Sequence, residues 1–124
     1  MGMQLYDLAG ADLERPFSPY CWRIKLALMQ KRLPFDTIPW RFTEKKAIAF
    51  SRQGRAPVLI DSDQVVFDSW TIANYLEDRH PDRPSLFRGD GGRAVTRFVN
   101  AWADVVLVGG ILRLIVTLHS HAPR

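Results

Sequence analysis

The stretch Phe17 to Leu28, FSPYCWRIKLAL, sets a serine and the chain's only cysteine three residues apart at what reads as the start of a helix. Ser18 precedes a proline, and a serine in that place caps a helix by accepting a hydrogen bond from the first turn. The same geometry can do chemistry, because the free N–H groups of a first turn and the positive end of the helix dipole stabilise an anion placed there. Cys21 shares the helix face with Ser18 and is a candidate thiol in its own right; the other reading is a small buried apolar residue. With serine in the first position of this CxxC-like spacing and no second cysteine, the internal disulfide of a dithiol oxidoreductase cannot form.

Four other places carry functional side chains. Asp68 and Ser69 open the segment WTIANYLEDRH, where either could cap a helix, and Pro57 precedes the apolar run Val58 to Ile60. Arg41, Lys45, Lys46 and Arg55 supply cations around a short helical stretch, with Trp40 beside them. His119 and His121 stand two apart with no third ligand in a compatible position, so a frayed polar tail is expected and no metal site.

Composition narrows the class. A chain of 124 residues with 47% hydrophobic and 24% charged residues suits one globular core and not two full domains. One cysteine leaves no internal disulfide, and MGMQLYDLAG lacks the basic start and apolar run of a secretory signal, so a cytoplasmic location is expected. Position 6 is Tyr6, where a myristoylation signal wants Ser or Thr. The net charge of +4 comes from 17 basic residues interspersed with 13 acids, which fits anionic small molecules better than nucleic acid. Val105 to Leu118, the most apolar run, is shorter than the roughly 20 residues that span a bilayer and is interrupted by Arg113; it reads as a core or interface helix, with no membrane expected. Its Gly109-Gly110 pair costs about 1 kcal/mol per glycine in a helix interior, which predicts a bend or close packing there.

The elements that must position these residues follow from periodicity. Gln4 to Leu8 alternates and predicts a strand. A helix from Ser18 to about Lys31 presents Trp22, Leu26 and Met29 at helical spacing, with Ile24 and Leu28 widening the apolar face. Pro34 to Ile38 predicts a second strand and Thr43 to Phe50 a short helix. Val58 to Ile60 and Val65 to Phe67 form a hairpin around Asp61 to Gln64, followed by a helix with Ile72, Ala73 and Leu76 inward. Pro81 to Arg93 has the Pro and Gly content of a linker, and a long helix runs from Ala94 to about His119. Strand, helix, strand demands a parallel crossover while the hairpin is antiparallel, so an α/β fold with a mixed four-stranded sheet of thioredoxin-like arrangement is expected.

Ser18-Pro19-Tyr20-Cys21-Trp22-Arg23, then Arg55-Ala56-Pro57-Val58, then Phe67-Asp68-Ser69-Trp70, then Tyr75-Leu76, resembles the N-terminal domain of glutathione S-transferases over roughly residues 3 to 100. Within that family the motifs look most like bacterial β-etherases and related serine-type, omega-like members. The resemblance implies a glutathione co-substrate whose thiolate is held at Ser18, or at Tyr6 as in some members, and attacks a small hydrophobic electrophile, possible substrates being aryl ethers. It implies that Pro57 is cis and that Ala56 pairs with the cysteinyl part of glutathione. It also implies that Asp68 and Ser69 take the γ-glutamyl end and that a cation such as Arg41 or Arg55 takes the glycine carboxylate. Two alternatives stay open: a thiol transferase working through Cys21, and a non-catalytic glutathione-binding or interaction module.

The division expected is residues 1–82 as the glutathione-binding domain, 83–92 as linker and 93–124 as the start of a truncated all-helical domain. Phe98, Trp102, Val105, Val106, Ile111, Leu112 and Ile115 would then lack covering helices, which predicts a homo-oligomer, a missing partner or marginal stability.

Overall fold

Strand β1, Met3–Leu8, alternates Met3 and Leu5 inward against Gln4 outward, and it lies in the middle of the sheet. It pairs in parallel with β2, Phe35–Trp40, in a register running from Met3 opposite Phe35 to Leu8 opposite Trp40. On its other side it pairs antiparallel with β3, Val58–Asp61, which turns through Ser62 and Asp63 into β4, Gln64–Phe67. The order β2-β1-β3-β4 is the expected mixed, four-stranded sheet. The computed structural model describes residues 2–8, 18–40 and 57–120. The predicted helix Thr43 to Phe50 lies outside the described residues, as do Arg41, Lys45, Lys46, Arg55, Ala56, His121 and the side chain of His119.

Helix α1, Pro19–Gln30, crosses between β1 and β2, and α2, Ser69–Arg79, follows the hairpin. Met3, Leu5 and Leu59 from the sheet form one core with Ile24 and Leu28 of α1, Leu33, and Ile72 and Leu76 of α2. The face of α1 differs from the expectation. Trp22, Leu26 and Met29 are 42%, 57% and 52% exposed, whereas Cys21, Ile24, Lys25 and Leu28 are buried. Both stripes have helical spacing, so periodicity alone could not choose between them. The sheet decides, because buried Asp7 on β1 requires a cation and Lys25 lies on the Cys21–Leu28 side.

At the other end of α1, Lys31 is wholly buried and its Nζ lies 2.7 Å from Glu77 Oε1 while donating to the His80 carbonyl at 3.0 Å. Glu77 Oε2 accepts from Ser85 Oγ at 2.7 Å and from the Leu86 N–H at 3.0 Å. One polar cluster therefore joins the ends of α1 and α2 to the chain that follows α2.

The chain divides into two compact units, Met1–Leu86 and Phe87–Arg124. In the second, helix α3, Asp90–Trp102, begins inside the stretch read as linker from its Pro and Gly content. Gly92 is needed there, since a Cβ at that position would collide with the Phe87 carbonyl. A π-helical stretch, Ala103–Val108, leads into α4, Gly109–Ser120, so the irregularity falls just before the glycine pair. The seven apolar residues expected to lack cover are each at least 48% exposed. The length argument against a membrane does not hold: the helix is continuous, and within Asp90–Ile115 its most apolar 18 residues reach a mean hydropathy of 1.7, enough to cross one by length and composition alone.

Candidate functional site

Register places the candidate residues at one end of the sheet. Val58 lies opposite Tyr6 on one side and Phe67 on the other, so the end of β1, the start of β3 and the end of β4 share an edge. Pro57, buried, immediately precedes Val58, and Asp68 immediately follows Phe67. The N-terminus of α1 is brought to the same edge by a hydrogen bond from the Leu8 N–H to Cys21 Sγ at 3.5 Å. Two helix N-termini, with their free N–H groups and positive dipole ends, therefore lie at the same end of the sheet.

Ser18 is the cap of α1, with extended backbone (φ −69, ψ 124) and Oγ accepting from the Cys21 N–H at 3.5 Å. Its carbonyl accepts from the Trp22 N–H at 3.0 Å, which closes the first turn, and Pro19 in the first helical position has no N–H to satisfy. Cys21 is fully buried among Leu8, Trp40 and Val58, with Tyr6 packed against them. Burial pushes its thiol up to about 11; hydrogen bonds from the Leu8 N–H and the Ser18 side chain pull the other way, and the Asp7 carboxylate adds to the rise. At neutral pH it is an unionised thiol.

Asp68 caps α2: Oδ2 accepts from the Thr71 N–H at 3.1 Å and from Thr71 Oγ1 at 3.0 Å. Its backbone stands at φ 71, in the region that favours glycine, and Ser69 behind it is buried. A non-glycine residue held at such a φ is strain of about 1–3 kcal/mol, of the kind that collects where a backbone must present groups to a ligand. Ser18, Cys21, Pro57, Asp68 and Ser69 are thus brought together. Arg41, Arg55 and Ala56 fall outside the described residues, and no group of three metal-ligating side chains occurs among those described.

Sequence reasoning missed Asp7 and Lys25, which form a buried ion pair with Nζ 2.7 Å from Oδ2. A signal existed. Asp7 falls on the same parity of β1 as Met3 and Leu5, and Lys25 is one helical turn beyond Cys21.

A β-α-β unit followed by an antiparallel hairpin and a capped helix, with the first helix opening at the sheet's functional edge, is a thioredoxin-like domain. The family model for the glutathione S-transferase N-terminal domain matches residues 13–84, and the chain belongs to that family. It is similar to glutathione S-transferase Z2 of Arabidopsis thaliana, with 31% identity over 72% of this chain and 40% of that protein. FtsZ-localized protein A of Caulobacter vibrioides is 28% identical over 72% of this chain and 42% of its own. The crystal structure of a glutathione S-transferase from Rhodospirillum rubrum superposes with a TM-score of 0.66 at 31% identity, covering 82% of this chain and 44% of that one. The chain spans about 40% of the length of the curated relatives it matches.

Proposed function

We propose that this chain binds glutathione as a co-substrate and lowers the pKa of its thiol, so that the thiolate attacks an electrophilic carbon. The observation that carries the reading is the convergence of Ser18, Pro57, Asp68 and Ser69 with two helix N-termini at one sheet edge, in a chain of this family. The Ser18 hydroxyl donates to the sulfur while the first-turn N–H groups and the helix dipole favour its negative charge. A free thiol near 8.5 is then ionised at neutral pH. The Ala56 backbone, turned by Pro57, pairs with the cysteinyl part like an added strand, and Ser69 takes the γ-glutamyl carboxylate while Asp68 faces the ammonium. Arg41 or Arg55 meets the glycine carboxylate. The sulfur–carbon bond forms as the leaving group departs with its electron pair, and the thiol proton goes to solvent.

The electrophile is small and hydrophobic, and the motif resemblance to β-etherases makes an aryl ether with a phenolate leaving group the finer choice. The unit Met1–Leu86 carries the binding domain, and the unit Phe87–Arg124, helical from Asp90, is the start of the helical part. The exposed apolar residues of that part supply the contact of a homo-oligomer. A cytoplasmic location suits a lone free cysteine and a thiol co-substrate.

A second reading is glutathione binding without turnover; among the similar proteins is FtsZ-localized protein A, 28% identical over 72% of this chain and named for its localisation. Glutathione affinity and conjugation to a generic aryl halide should be measured on the wild type, Ser18→Ala and Cys21→Ala. Conjugation lost in Ser18→Ala and kept in Cys21→Ala is expected. Conjugation lost only in Cys21→Ala would overturn the serine role, and binding with no turnover in any of the three selects the second reading.

A further inference from the structure

Beneath the first turn of α1, Lys25 Nζ meets Asp7 Oδ2 at 2.7 Å, with the two side chains 8% and 3% exposed. The same ammonium lies 3.5 Å from the centroid of the Trp22 ring. Asp7 Oδ1 is buried without a hydrogen-bond partner. The pair adjoins the thiolate edge directly: Leu8, next to Asp7, donates to Cys21 Sγ, and the Cys21 N–H goes to Ser18 Oγ.

A bare carboxylate in this place would oppose an anion held at Ser18, since like charges close together away from water disfavour each other. The Asp7 charge already counts against ionisation of Cys21. Among the described residues, the titratable and charged groups on the elements around this edge are Asp7 and Tyr6 on β1, Tyr20, Cys21, Arg23 and Lys25 on α1, and Asp68 at the head of α2. Of these described groups, Lys25 is the cation seated on Asp7, while the Arg23 guanidinium lies over the Tyr20 ring.

We propose that Lys25 is a positioning residue that cancels the Asp7 charge beneath the α1 N-terminus and so keeps a thiol bound at Ser18 acidic. The inference rests on the glutathione-thiolate reading. The test titrates glutathione bound to the full chain, following the ultraviolet absorbance of the thiolate. Asp7→Asn leaves the lysine charge uncompensated and lowers the apparent thiol pKa by about one unit; Lys25→Met raises it by about as much. The double variant returns to within about 0.3 of wild type, and Lys25→Arg, which keeps the pair, leaves the value in place. A merely structural pair would weaken folding in both single variants without moving the pKa in opposite directions. Should one single variant fail to fold, the sign of the other carries the test. Bound glutathione titrating as in wild type in the variants that fold overturns the inference, whereas wild type that binds no glutathione overturns the underlying reading instead.

Discussion

Replacing Lys31 by methionine should destabilise the first unit by a large share of its stability. The side chain is wholly buried, and its ammonium serves both Glu77 Oε1 at 2.7 Å and the His80 carbonyl at 3.0 Å. Methionine keeps most of the packing of the aliphatic stem, so the loss isolates the polar end. Breaking a buried pair by removing one partner costs about 3–5 kcal/mol, because the remaining charge stays buried. Glu77 is 11% exposed and keeps its bonds from Ser85 and Leu86, which places the expected loss near the lower end, about 3 kcal/mol. A unit the size of Met1–Leu86 has roughly 5–10 kcal/mol in all, so this is a large share. Lys31→Met/Glu77→Gln should recover all but about 1 kcal/mol, since the carboxamide can donate to the His80 carbonyl and still accept from Leu86. Urea denaturation followed by tryptophan fluorescence and circular dichroism reads both variants. A Lys31→Met loss under about 1 kcal/mol, or a double variant less stable than the single one, refutes the reasoning.

The corrected face of α1 is tested by two alanines: Leu28→Ala should cost about 2–5 kcal/mol and Leu26→Ala within about 0.5, read from the same denaturation curves. The buried thiol makes stability depend on pH in the alkaline range. Because folding raises the Cys21 pKa from 9.0 to about 11, the unfolded chain loses its proton first as pH rises. Stability should therefore fall between pH 9 and about 11, by up to about 2 kcal/mol, and be insensitive to this group below pH 9. Cys21→Ala should abolish that component in a pH series of denaturation midpoints, and an unchanged alkaline slope would contradict the assigned burial.

The four strands and the helices opening at Ser18 and Asp68 were legible because each rests on a local pattern: alternation in Gln4 to Leu8, Ser-Pro at a helix start, two short apolar runs around Asp61 to Gln64. What was not legible depends on contacts between elements far apart in the chain. Trp22, Leu26 and Met29 form as good a helical stripe as Ile24 and Leu28, and only the sheet beneath selects one. Lys25 and Lys31 read as surface charges until Asp7 and Glu77 are placed against them. Likewise the extent of the last helix was underestimated, because Gly91 and Gly92 look like linker although Gly92 serves the first turn of α3. Ser18, Asp68 and Ser69 were found because a cap is a local device, and the sheet register then brings the two caps to one edge.

Ser18 and Cys21 cannot be ranked by spacing, since both lie in the first turn on one helix face, nor by depth, since Ser18 is 4% exposed and Cys21 0%; the state of the Cys21 thiol separates them. Cys21 is enclosed by Leu8, Trp40 and Val58, and desolvation outweighs the Leu8 and Ser18 hydrogen bonds that would favour its thiolate. With a pKa of about 11, about one molecule in ten thousand carries that thiolate at pH 7. On the proposed reading, a bound sulfur at the cap meets the same first-turn N–H groups and helix dipole, with the Ser18 hydroxyl free to donate to it. On that reading the nucleophile is supplied by a co-substrate, and the chain's own contribution is the cap, the dipole and the proposed cancellation of the Asp7 charge.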